Sequence, residues 1–238
     1  MLFTEDRTTK IAITGLVGVG KTQVLLELAH HAKEMYENCL IIWMAAINMD
    51  GIQQSYQGVA QQLGIPGWEE GKVNVKKLVQ EYLSREITGR WLLILISRSQ
   101  REFNPLMDYL PRSKQGCIVS TTRDRKTAVK LAYENVVEVP LMDENVASQL
   151  PQKYLINKDL LKNKEDVKAL LTTLEFLPLA LVRQRAFINE NGVALAKYLS
   201  LLNDHDEKVV DLLSEGLEDE GRYHDIKNPV ALNMADLI

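Results

Sequence analysis

The sequence predicts an α/β fold, a parallel sheet covered by helices, followed by a smaller all-helical unit. Three observations carry that prediction. As far as Pro140, apolar runs of strand length alternate with stretches of helical spacing. Several of the runs are apolar throughout, as parallel strands buried on both faces tend to be. After Pro140 there are helical patterns and no further apolar strand. With 238 residues, 46% apolar and 25% charged, the chain is long enough and apolar enough to bury a core, which excludes disordered and collagen-like classes.

Ile11-Ala12-Ile13 is a short strand that ends in a Gly-rich turn. Val24, Leu25, Leu28, Ala32 and Met35 follow at helical spacing. Cys39 to Met44 is the second strand, and a helix from about Gln53 to Leu63 is stopped by Gly64-Ile65-Pro66-Gly67. A third helix, Val73 to Ile87, is ended by Gly89 and leads into the strand Trp91 to Ile96. Gly116 to Thr121 and Val136 to Val139 are two more strands, on either side of a helix from Arg125 to Tyr133. Helices then follow at Asp143 to Tyr154, Lys164 to Leu174, Pro178 to Asn189, Ala194 to Leu202 and Asp206 to Leu213. Pro178 suits a first turn, where its missing N–H costs nothing. The domains are read as residues 1–141, α/β, and residues 142–227, helical.

Gly15-Leu16-Val17-Gly18-Val19-Gly20-Lys21-Thr22 matches the phosphate-loop pattern G-x-x-x-x-G-K-[ST], after a strand and before a helix as the pattern requires. Glycines let backbone N–H groups wrap phosphate oxygens, and the helix N-terminus adds partial positive charge. Lys21 is expected on the β and γ phosphates and the Thr22 hydroxyl on Mg²⁺. Nucleotide hydrolases of this kind also use an aspartate at the end of an apolar strand to hold the metal. Trp91 to Leu95 is that strand by pattern, yet it continues Ile96-Ser97-Arg98-Ser99, and no carboxylate follows until Glu102 and Asp108. An isoleucine cannot orient metal-bound water, so Mg²⁺ binding is expected to be weakened and hydrolysis to suffer more than nucleotide binding. No catalytic residue is assigned.

Charge divides unevenly along the chain. Of 28 Lys+Arg and 32 Asp+Glu, nine acids and two bases fall between Asn203 and Asp225. The rest carries 23 acids against 26 bases, net +3, which leaves room for an anionic ligand. The acidic segment reads as a solvated face, or more sharply as a docking surface for a basic partner. Cys39 and Cys117, the two cysteines, sit in apolar stretches and suggest no disulfide framework. Met1 to Lys10 lacks an apolar signal core, and Trp91 to Ile96 is too short to span a bilayer, so a soluble cytoplasmic chain without a membrane partner is expected. The basic residues Arg112, Lys114, Arg123, Arg125 and Lys126 are not accompanied by an aromatic platform, so nucleic acid is not the expected partner. His30 and His31 have no ligand-spaced companion for a metal.

In order along the chain, these residues resemble the NB-ARC domain of the signal-transducing STAND P-loop NTPases, of the fungal NOD-like receptor type. The phosphate loop Gly15 to Thr22, Trp43, Leu63 to Gly67, the strand Trp91 to Leu95, Ser120-Thr121-Thr122-Arg123, Leu177-Pro178-Leu179-Ala180 and Asn228-Pro229-Val230-Ala231 are each similar to a motif of that family. The resemblance implies a nucleotide switch, closed with ADP and open and oligomerising with ATP, that serves fungal innate immunity or non-self recognition. Adenine nucleotide, other receptor domains and a self-oligomer are its implied partners. Nucleotide binding is implied for Gly15, Leu16, Val17, Gly18, Val19, Gly20, Lys21, Thr22 and Gln23. Arg123 would sense the γ-phosphate and Pro178 would line the adenine pocket; a surface arginine and a plain helix-starting proline are the competing readings. Ile96 and Ser97 stand in place of the family's acidic residue and its polar follower, Glu175 and Phe176 in place of small residues, often glycine, and Arg183 and Arg185 in place of neutral or small ones. Residues 228–238 resemble the start of the winged-helix subdomain. The alternatives left open are a working ATPase that takes its metal acid from Glu102 or Asp108, and a protein-interaction fragment that binds no nucleotide.

Overall fold

The computed structural model describes residues 2–3, 6–46, 49–70, 73–97, 104 and 106–203. Glu102, the acidic segment, the expected helix at Asp206 to Leu213 and the stretch 228–238 lie outside these residues. The chain forms two compact units. One runs from Lys21 to Val139 and includes the N-terminal segment up to Gly15; the other runs from Pro140 onward and includes the loop Leu16–Gly20.

The first unit is a five-stranded sheet of β1 (Thr9–Thr14), β2 (Leu40–Ala46), β3 (Trp91–Ser97), β4 (Gly116–Thr122) and β5 (Val136–Glu138), in the order β2-β3-β4-β1-β5. Every pairing is parallel. Parallel neighbours need crossover connections, and helices supply them: α1 (Lys21–Met35), α2 (Met49–Gln62), α3 (Val75–Leu83) and α4 (Arg125–Ala132). Alternation along β3 shows why its sequence is apolar without a break. Trp91, Leu93 and Leu95 pack with α2, α3 and α4, while Leu92 and Ile94 pack on the other face with Leu25, Ala29 and Ala32 of α1. Burying each such side chain fully stabilises the fold by about 1.5–3 kcal/mol.

The helices differ from expectation at their edges. On α1 the buried stripe is Leu25, Ala29 and Ala32, whereas Val24 and Met35 face solvent, because alanines narrow enough to approach the sheet complete the stripe. α2 starts at Met49, through Gly51, which the sequence pattern did not accept as helical. α3 stops at Leu83 instead of Ile87. Asn74 caps its start, Ser84 closes its end with an N–H bond to the Gln80 carbonyl, and a single 3₁₀ turn, Glu86–Thr88, fills the gap to Gly89.

The second unit contains α5 (Glu144–Tyr154), α6 (Lys164–Thr173), α7 (Pro178–Asn191) and α8 (Leu195–Asn203). Asp143 and Asn163 cap α5 and α6 through side-chain oxygens. Leu155, Leu170, Leu171, Leu181, Ile188 and Tyr198 form its core. Arg185, a charge the sequence placed on a packed helix, is accommodated because its guanidinium lies 4.7 Å from the centre of the Tyr154 ring. The Asn189 amide joins α7 to the end of α5, donating to the Tyr154 carbonyl and accepting from the Ile156 N–H.

Candidate functional site

The site is built from the carboxyl ends of parallel strands, where open α/β sheets place their ligands. β1 ends at Thr14 and the chain turns through Gly15 to Gly20 into α1 at Lys21. Gly18 and Gly20 have φ of 80° and 99°, which side chains with a Cβ rarely adopt, so the turn is available to glycine and little else. Val19 is buried, while Leu16 and Val17 between the glycines are exposed. Lys21, Thr22 and Gln23 form the first turn of α1, whose backbone N–H groups have no intrahelical acceptor.

Lys21 folds back over this loop, its Nζ donating to the Gly15 carbonyl at 3.0 Å. Partial burial pushes the ammonium below its usual pKa range, and the Arg123 guanidinium pushes it further. The structure thus brings together two cations that are 102 positions apart in sequence, Lys21 and Arg123. Arg123 sits in a fixed turn. The Thr122 Oγ1 accepts from the Asp124 N–H at 3.1 Å, and the Asp124 carboxylate caps α4 by accepting from the N–H groups of Lys126 and Thr127 and from the Thr127 hydroxyl. Those hydrogen bonds, the Thr127 hydroxyl foremost, hold the Asp124 carboxyl below the usual carboxylate range. Sequence reasoning named Arg123 but missed Thr122 and Asp124 as its supports. An aspartate directly before a helical run was the available sign.

β3, Trp91–Ser97, carries no carboxylate. Ile96 pairs in register with Ala45 and Thr121 and packs with the apolar residues of the α1 face. The residues therefore fit the phosphates of a nucleotide better than they fit its metal ion, for which Thr22 has no carboxylate partner on β3. Asp108, the described alternative acid, is an exposed turn residue whose carbonyl accepts from the Gln80 amide.

Pro178 is the first residue of α7, in the second unit. Its helix has no side-chain cap, because Leu177 occupies that position. Instead the Leu179 N–H donates to the Gly18 carbonyl at 3.1 Å, so a loop carbonyl satisfies one of the first-turn donors. A Cβ on Gly18 would come within 3.1 Å of the Leu179 Cβ, a second reason for glycine there.

Comparison with known proteins agrees with this geometry. The NB-ARC domain family matches residues 1–161. A nucleotide-binding leucine-rich repeat (NLR)-like protein of Hyaloscypha variabilis is 37% identical over 93% of this chain, which spans 24% of that relative's length. Among solved structures, the Walker-type ATPase PABY2304 of Pyrococcus abyssi superposes with a TM-score of 0.57 at 14% identity, covering 92% of this chain and 73% of its own, a likeness of fold. With more than half its length matched and a relative of that identity, the chain belongs to the NB-ARC domain family.

Proposed function

We propose that this chain is the ADP- or ATP-binding switch module of a NOD-like signalling receptor that hydrolyses its nucleotide slowly or not at all. The observation that carries the reading is the glycine loop between β1 and α1, with Gly18 and Gly20 at positive φ and the Lys21 Nζ donating to the Gly15 carbonyl at 3.0 Å, where a phosphate group would also relieve the repulsion between Lys21 and Arg123. In this reading the N–H groups from Gly15 to Gln23 cradle the phosphates, Lys21 neutralises the terminal ones and Arg123 grips the γ-phosphate when it is present. Pro178 contributes to the adenine pocket. Thr22 would hold Mg²⁺, which when bound would neutralise phosphate charge; with Ile96 in place of a carboxylate that site would be weak, so no hydrolytic step is assigned. Self-association in the ATP state, receptor domains as partners, a cytoplasmic location and a role in fungal innate immunity or non-self recognition extend the same proposal.

Calorimetry with ADP and with ATP, each with and without Mg²⁺, tests it. Saturable binding that Lys21→Ala abolishes is expected, with a smaller Mg²⁺ dependence than a metal site with its full carboxylate would give. Arg123→Ala should weaken ATP by about tenfold and ADP by much less, the loss of one charge-assisted contact. Turnover near one per second, abolished by Lys21→Ala, would overturn the slow-switch reading in favour of an ATPase with a substitute acid. Absence of binding at millimolar ADP would overturn the switch altogether.

A further inference from the structure

The α/β unit carries a second cationic recess, at the opposite end of β1 from the phosphate loop. At about 3.3 Å of rise per residue the two ends of this six-residue strand lie about 16 Å apart. The recess has a volume of about 640 Å³ and is walled by Thr8, Lys10, Arg112, Ser113, Lys114 and Tyr133. Across its whole lining the charges are Arg7, Lys10, Arg112 and Lys114 against Asp6 and Glu134, a surplus of two cations. Among the described residues, no carboxylate forms an ion pair with Lys10, Arg112 or Lys114. Lys10 is half-buried, and its ammonium is held below its usual range by that burial and by the Arg112 guanidinium. Lys10, Arg112 and Lys114, gathered without an ion-pair partner among the described residues, raise the energy of the empty recess and favour an anion in it.

Its walls are fixed before any ligand arrives. The Thr8 hydroxyl donates to the Ser113 carbonyl at 3.0 Å and accepts from the Ser113 N–H at 2.7 Å. The Asn135 amide donates to the Lys10 carbonyl, and the Arg112 N–H to the Ser84 hydroxyl. At the rim Tyr133 ends α4 with φ of +52°, a strained conformation for a side-chain-bearing residue, and leaves its ring 75% exposed. A volume of this size suits a small molecule rather than a single inorganic ion, and three unpaired cations call for a ligand with several negative charges.

We propose that this recess binds a small polyphosphorylated molecule, with Lys10, Arg112 and Lys114 on its phosphates, as a site separate from the nucleotide loop. Tyr133 lines the same recess as Arg112 and Lys114.

Sodium tripolyphosphate, titrated by calorimetry into the full chain carrying Lys21→Ala, tests the site with the nucleotide loop disabled. One saturable site is expected, weakened about tenfold by Arg112→Gln and a further several-fold by Lys10→Met, each removing one charge-assisted contact. Lys114 is exposed, so Lys114→Gln provides a variant with little folding risk and should weaken binding about threefold. Amide chemical shifts should move at Thr8, Ser113 and Lys114. Loss of binding with Lys21→Ala alone, or binding indifferent to all three substitutions, would overturn the proposal. So would binding confined to a long polyanion such as heparin, which would mark a macromolecular surface. Failure of ADP to bind the unaltered chain would sink the switch reading and leave this one standing.

Discussion

Glu175 holds a conformation that helix ends usually reserve for glycine. Its φ is +50°, and Phe176 follows at +55°. The Phe176 N–H bonds to the Leu171 carbonyl and the Glu175 N–H to the Thr172 carbonyl, the paired closure of a left-handed helix end. The family resemblance placed small residues here, and this backbone supplies the physical reason. A Cβ in this region costs about 1–2 kcal/mol, so Glu175→Gly should stabilise the helical unit by about 1 kcal/mol net of its extra chain entropy. A urea midpoint that falls instead would show that the glutamate side chain contributes more than its strain costs. The thiols make a second prediction at this scale. Burial pushes Cys39 up to about 11 and Cys117 up to about 12. Neither should react with a thiol reagent at neutral pH while the protein is folded; rapid labelling of either would contradict their burial. In the unfolded chain thiols ionise near 8.5, so above that pH the folded state binds more protons than the unfolded state. Their contribution to stability is complete below about pH 8.5 and is lost as pH rises towards about 11–12.

β4 begins at Gly116 because the Trp91 ring of β3 occupies the space a side chain would need. A Cβ on Gly116 would sit 2.1 Å from one ring carbon, while the indole Nε1 donates to the Leu83 carbonyl at 2.8 Å and so holds the ring at the end of α3. Gly116→Ala must displace that ring and its hydrogen bond, and overpacking of this kind costs about 1–3 kcal/mol or more. The expected result is a lower melting temperature with the tryptophan emission shifted; an unchanged melting curve would show that the start of this central strand yields freely. Residues of this type decide how much of the fold was legible. The strands could be read because burial on both faces leaves unbroken apolar runs, and the phosphate loop because glycine and lysine stand at fixed spacing. The end of α2 was equally plain: Gly64 takes φ of +60° and Ile65 bonds back to the Ala60 carbonyl. The ends of α4 and α6 were placed within one residue, although Tyr133 and Glu175 adopt positive φ there without being glycine, whereas the end of α3 at Leu83 was missed because Gly89 lies beyond a separate 3₁₀ turn. Nor could sequence order show that the Arg123 charge acts on Lys21, or that the Gly18 carbonyl takes the place of a cap for α7, because both depend on how strands and turns assemble.

For the whole molecule, the net charge of −4 conceals two cationic clusters of the α/β unit, at the two ends of β1. A phosphate ligand at the loop should therefore stabilise the folded chain by more than packing alone, since it relieves repulsion between Lys21 and Arg123 as it binds. At an ADP concentration one hundred times the dissociation constant, linkage gives about 2.7 kcal/mol. For a protein of this length that corresponds to a melting-temperature rise of roughly 5–10 °C, at 2–4 °C for each kcal/mol. Lys21→Ala should remove the rise. Ile96→Asp makes a sharper comparison, because it places a charge among the apolar residues of the α1 face while restoring a carboxylate at the strand end. It should lower the melting temperature of the ligand-free chain, since burying a charge without a partner is costly, yet enlarge the additional rise that Mg²⁺ gives with ATP. An Ile96→Asp chain whose ATP-dependent rise is indifferent to Mg²⁺ would show that the end of β3 is not where this fold holds its metal.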